Sequence, residues 1–157
     1  AQERPFRPMP IQPGAARGPW TVHRTQTVCA ELGALLALAR EPAPESVRRA
    51  LGPVLEAWRR KPKQATVVLS GLARERRPGA ALQVLRCMRE RGVEVNVFHC
   101  GAALSACEKS SHWALSISLL GTMPEFRPEP NLICYSAAIS ACEKGGRWQI
   151  ALALFAT

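Results

Sequence analysis

The 157 residues carry a formal net charge of +9, are 47 % hydrophobic, and include 13 Pro and 11 Gly. That is enough apolar material for a core, and the longest mostly apolar run, Leu32 to Ala39, is far too short to cross a bilayer, so no membrane partner is expected. Charge is uneven: residues 40–91 hold thirteen basic and five acidic side chains, whereas 92–157 hold four and five. A basic middle segment suits a polyanion such as nucleic acid, and a merely solvated basic helix face accounts for it equally well.

Residues 1–27 contain Pro5, Pro8, Pro10, Pro13 and Pro19 among Arg4, Arg7, Arg17 and Arg24. Repeated Pro blocks helix formation, which predicts an extended or disordered lead-in. An Arg-rich, acid-poor stretch also fits the remnant of an organellar transit peptide, and a plain tail fits it as well.

Over 28–61, Val28, Leu32, Leu35, Leu36 and Ala39 recur at helical spacing, followed by the breaker Glu41-Pro42-Ala43-Pro44. Val47, Leu51, Val54, Leu55 and Trp58 form a second stripe, which Gly52-Pro53 is expected to kink or split. The result is a helical hairpin, either a degenerate repeat or an N-terminal cap, because terminal repeats are usually atypical.

From Pro62 onward the chain copies itself. Leu104-Ser105-Ala106-Cys107-Glu108-Lys109 recurs as Ile139-Ser140-Ala141-Cys142-Glu143-Lys144, an offset of 35 residues that also relates Leu69-Ser70-Gly71 to Leu104-Ser105-Ala106. A fixed period in this range marks a solenoid or array. Each unit carries two apolar stripes at i, i+3, i+4, i+7. The first helices place Ala65/Val68/Leu69/Leu72, Cys100/Ala103/Leu104/Cys107 and Tyr135/Ala138/Ile139/Cys142. The second helices place Pro78/Ala81/Leu82/Leu85, Trp113/Ser116/Ile117/Leu120 and Trp148/Ala151/Leu152/Phe155. Short polar turns, Arg76-Arg77-Pro78, Ser110-Ser111-His112 and Gly145-Gly146-Arg147, join them. Small residues Gly71, Ala106 and Ala141 share one register position, where helices must approach closely. The expected fold is all-α: a right-handed α-solenoid of stacked helix-turn-helix repeats with units at 62–96, 97–131 and an unfinished 132–157. An unfinished last unit favours a fragment of a longer parent.

The stretch Asn131-Leu132-Ile133-Cys134-Tyr135-Ser136-Ala137-Ala138-Ile139-Ser140-Ala141-Cys142-Glu143-Lys144-Gly145-Gly146-Arg147-Trp148, followed by Ala151-Leu152 and Leu154-Phe155, resembles the pentatricopeptide repeat family. So do the Met closing the second helix and Pro130-Asn131 closing a unit. Tetratricopeptide repeats differ in having a 34-residue period and a Trp that opens the first helix, whereas Trp113 and Trp148 open the second. The resemblance implies binding of single-stranded RNA, roughly one base per repeat, in organellar RNA processing, stability or translation. A mitochondrion or plastid is the implied location. It further implies base readers at the fifth residues, Thr66, Gly101 and Ser136, and at the closing residues Asn96 and Asn131. The second residues, Lys63, Phe98 and Ile133, would sandwich the base. Gly101 has no side chain to bond a base, and Lys63 replaces the usual aliphatic. Repeat two therefore also reads as a spacer or a protein-contact unit, and the whole array as a protein-interaction scaffold.

Nothing in the chain points to catalysis, a cofactor or a metal. Six cysteines form no C-x-x-C pair, and the acidic residues are all Glu. Cys107 and Cys142 share a register position suited to a small buried side chain, and the thiols are expected to be reduced, as in an intracellular or organellar compartment. His-x-Glu, needed by deaminase-like relatives, is absent. His99-Cys100 resembles a nucleophile pair, but Cys100 lies on the buried stripe.

Overall fold

The computed structural model describes residues 30–157; the expected lead-in over 1–27 lies outside them. A short helix over 30–36 (α1) is followed by α2 (Pro44–Arg60), α3 (Pro62–Arg74), α4 (Pro78–Glu90), α5 (Val97–Lys109), α6 (Trp113–Thr122), α7 (Leu132–Lys144) and α8 (Trp148–Phe155). A 3-10 turn, Met123–Phe126, lies between α6 and α7. No strand occurs among the described residues.

Helix starts are set by two devices. Pro44, Pro62 and Pro78 occupy the first helical positions of α2, α3 and α4, where a missing N–H costs nothing. Asn96 and Asn131 cap α5 and α7, their Oδ1 atoms accepting from His99 N and Cys134 N, each at 3.0 Å.

The ends of the first helices are built alike. Arg76, Ser111 and Gly146, one period apart, have φ of 54, 59 and 70°. The following amides reach back to Leu72, Cys107 and Cys142 at 2.9, 2.9 and 2.7 Å, the 6→1 bond of a Schellman turn. Only the third position is Gly, and a Cβ there would meet nothing within 4 Å. Gly146→Ala should therefore cost about 1 kcal/mol from backbone strain alone, measured as a shift in denaturation midpoint. No shift would mean that the turn relaxes.

α3 packs on α5 and α5 on α7, forming one layer of first helices; α4 and α6 lie behind them. The stripes over α3 and α5 are buried throughout, with Ala65, Val68, Leu69, Leu72, Cys100 and Leu104 at 0 % exposure. Such pairwise stacking of consecutive hairpins is a helical-repeat solenoid. In α8 the second-helix stripe is open, with Trp148, Leu152 and Phe155 at 63, 59 and 82 % exposure, since no described helix packs against them.

Three local features differ from expectation. α2 runs unbroken through Pro53, because Gly52 and Pro53 sit on its exposed face, where the missing amide bond faces water. The first helix stops at 36 rather than reaching Ala39. There Arg77 donates from Nη2 to the carbonyls of Leu38 and Ala39 at 2.7 and 2.8 Å, satisfying the turned chain. Met123 opens the 3-10 turn instead of closing α6, because Pro124 has no N–H to extend the α-helical ladder.

The α1–α2 pair sits where a preceding repeat would. α2 packs against α4 and α3, and α1 lies against α3. At Gly71, a Cβ would come within 2.5 Å of the Leu32 side chain, so the absence of one lets α1 close onto α3.

Candidate nucleic-acid interface

Helical spacing places Lys63, Thr66, Ser70 and Arg74 along one side of α3, away from its buried stripe. One period later come Phe98, Gly101, Ser105 and Lys109 on α5, then Ile133, Ser136, Ser140 and Lys144 on α7. Two columns are chemically uniform down the stack. Ser70, Ser105 and Ser140 form one, and the cations Arg74, Lys109 and Lys144 form the other, in the last turn of each helix.

A groove of about 500 Å³ opens between α3 and α5. Thr66, Ser70 and Arg74 line one wall; Phe98, Ser105 and Lys109 line the other. Of the sequence-derived candidates it brings together Thr66 and Phe98, the latter 71 % exposed. Lys63 is exposed in the first turn of α3, and Gly101 faces open space. Ile133, 68 % exposed, and Ser136 lie on the outer side of α7. Asn96 and Asn131 sit at the helix starts as caps, Asn96 half-buried and Asn131 exposed. Each cap uses one lone pair of the amide oxygen, leaving the second lone pair and the NH₂ for another partner.

Arg74 and Lys109 make no ion pair among the described residues, whereas three other basic residues of the middle segment, Arg48, Arg59 and Arg89, do. Arg48 pairs with Glu45 and with Glu90 at 2.9 Å, and Arg89 pairs with Glu125 at 3.0 Å. Sequence reasoning missed the cation column, although Lys109 and Lys144 close the repeated six-residue block and Arg74 falls in register with them. Periodicity carries that signal; net charge by segment does not.

His99 and Cys100 face inward, both at 0 % exposure. Asn96 N donates to His99 Nδ1 at 3.1 Å, which puts the ring proton on Nε2, and Nε2 donates to the Pro62 carbonyl at 3.0 Å. His99 thus ties the start of α5 to the start of α3. Burial pushes the Cys100 thiol up to about 12, so it stays protonated and inert. The five described cysteines are free and buried. No three metal-ligating side chains cluster among the described residues, and none of their helices is long and apolar enough to cross a membrane.

Burial also holds the His99 imidazole below its ordinary value, with the Pro62 carbonyl opposing in part. The unfolded chain then binds this proton more readily than the folded one. Stability from neutral His99 should be complete above about pH 6.5 and be lost as pH falls through the depressed folded value. His99→Gln should remove that part of the pH dependence in denaturation measured from pH 7 to 5. An unchanged profile would assign the acid sensitivity elsewhere.

The family model described as PPR repeat matches residues 65–93 and 133–156. No curated protein matches the chain. The two matched segments lie in the first and third hairpins of the 35-residue register, and the hairpin between them packs in the same layer. The chain thus carries PPR repeats at 65–93 and 133–156.

Proposed function

We propose that the chain binds single-stranded RNA along the exposed sides of α3, α5 and α7. The carrying observation is the open groove in which the exposed Phe98 ring stands beside hydroxyls and two cations without ion-pair partners. Unstacked bases need apolar faces to rest on, and the backbone between them needs cations; a duplex hides its base faces and offers only the second. PPR repeat proteins generally bind RNA and are typically non-catalytic, which supports the same reading.

In this reading Thr66 with Asn96 recognises one base, and Lys63 and Phe98 flank it. Gly101 leaves Asn131 alone to contact the next base, which Phe98 and Ile133 sandwich; Ser136 meets a third. The role is RNA processing, stability or translation in a mitochondrion or plastid, as is usual for the family. Filter binding at two salt concentrations tests it. Single-stranded oligonucleotides should bind and duplex of the same sequence should bind less; equal binding of both would reject it. Gly101, which offers no side chain to a base, favours a second reading, a protein-interaction scaffold using the same face, which predicts binding of neither.

The cations where α2 meets α3 make a separate expectation. Arg60, Lys61 and Lys63 are exposed and make no ion pair among the described residues, whereas Arg59 pairs with Glu56 at 3.4 Å. Neutralising Arg60, Lys61 and Lys63 together should flatten the slope of log affinity against log salt, by about 0.7 for each phosphate they would otherwise neutralise. A slope that stays intact would make them a solvated surface.

A further inference from the structure

The cation column is uniform in sequence but not in electrostatic state. Lys144 Nζ donates to Glu108 Oε1 across the α5–α7 interface at 2.9 Å, and Ser140 Oγ donates to the same oxygen at 3.0 Å. One carboxylate thus occupies both column residues of α7. At the α3–α5 interface the register position of Glu108 is held by Ala73, a buried methyl group. Lys109 and Ser105 there face no carboxylate, and the groove stays open.

We propose that Glu108 is an affinity-limiting residue on the RNA-binding side. It neutralises Lys144 and occupies Ser140, so that phosphodiester contact by the column is confined to Arg74 and Lys109. The proposal rests on the RNA reading above. A phosphate approaching Lys144 meets a carboxylate already bonded to it, so ammonium attraction and carboxylate repulsion nearly cancel. Lys144 in turn holds the Glu108 carboxyl below its ordinary range, so the carboxylate stays charged through neutral pH. Sequence alone hides this, because Lys109 and Lys144 are identical in type and in register. Only the residue facing each from the preceding helix separates them.

The test is a salt series of binding by fluorescence anisotropy with a labelled single-stranded oligonucleotide. Lys109→Gln should flatten the salt slope by about 0.7, the share of one neutralised phosphate, whereas removing both members of the pair, Glu108→Gln with Lys144→Gln, should leave it unchanged. Glu108→Gln should steepen the slope by about 0.7 and tighten binding about threefold at low salt, and in that background Lys144→Gln should reverse the gain. Gln keeps an acceptor for Ser140 and Lys144, and Glu108→Ala supplies a second variant that copies the residue the fold accepts at 73. Circular dichroism melts confirm that each variant folds. If Glu108→Gln with Lys144→Gln flattens the slope as Lys109→Gln does, or if Glu108→Gln and Glu108→Ala both leave the slope unchanged, the proposal is overturned while RNA binding stands. A wild-type chain that binds no RNA at low salt overturns both.

Discussion

Trp58→Ala is expected to lower stability by about 3–5 kcal/mol, the range for removing a large aromatic side chain from a closed core. Trp58 is fully buried in α2, the helix that packs against both α3 and α4, so the loss falls where the N-terminal hairpin joins the first repeat. Its indole N–H lies near the buried Glu31 carboxyl group without making a hydrogen bond of normal geometry. Trp58→Phe should lose clearly less than Trp58→Ala, because it keeps most of the buried aromatic area. Urea denaturation followed by circular dichroism measures both. A loss under about 1 kcal/mol for Trp58→Ala would mean that the hairpin is not cooperatively docked on the repeats. In a repeat array, each unit is held by its neighbours, so undocking at one end exposes the apolar side of α3 and α4.

The repeats were legible because each stripe residue is both local and periodic. Ala65/Val68/Leu69/Leu72 and Cys100/Ala103/Leu104/Cys107 announce a helix by their spacing and a stack by their common offset, and all eight are buried. Position 76/111/146 was legible only in part. Gly146 advertises a left-handed residue, but Arg76 and Ser111 adopt the same φ with no local signal. What overrides their preference is the hairpin itself, whose helices are already packed on both sides. The N-terminal hairpin evaded the register because its stripe does not repeat the later ones, yet α2 still packs beside α4. Burial needs an apolar side of the right size, and not the same residues at the same offsets. Pro53 misled for a related reason: a proline interrupts a helix in proportion to how badly its missing bond is solvated, and this one is exposed.

The register of the candidate interface was legible along each helix, and the pairing between helices was not. The family resemblance singled out Thr66, Gly101 and Ser136, and likewise Phe98 and Ile133, and the 35-residue period keeps each set in one row. The pairing of Glu108 with Lys144 spans neighbouring repeats and depends on how far α5 and α7 are offset, which stripe spacing does not specify. The capping role of Asn96 and Asn131 lay between these extremes. Asn directly before a helical stripe is a recognised start signal, and it was the family resemblance that drew attention to base readout instead.

Those two roles meet at Asn96, where substitution should have the largest effect on binding. Asn96 Oδ1 caps α5 by accepting from His99 N, and the Asn96 backbone N–H donates to His99 Nδ1. The free lone pair and the NH₂ group still present one acceptor and one donor, the pattern that matches an adenine edge. With Thr66 as its companion, adenine is the expected base for the first repeat. Asn96→Asp keeps a good cap, since one carboxylate oxygen can accept from His99 N, but it replaces the donor with an acceptor. Preference should shift from adenine toward guanine, whose N1–H and N2–H₂ groups donate. The discrimination expected is about 1–3 kcal/mol, roughly 5- to 150-fold in affinity. Asn96→Ala should lose the discrimination and also about 1 kcal/mol of stability through the missing cap. Oligonucleotides varied at one base, bound to these repeats grafted into a longer stable array, separate the outcomes. Equal affinity for all four bases before and after substitution, together with the stability loss in Asn96→Ala, would leave Asn96 a helix cap and nothing more.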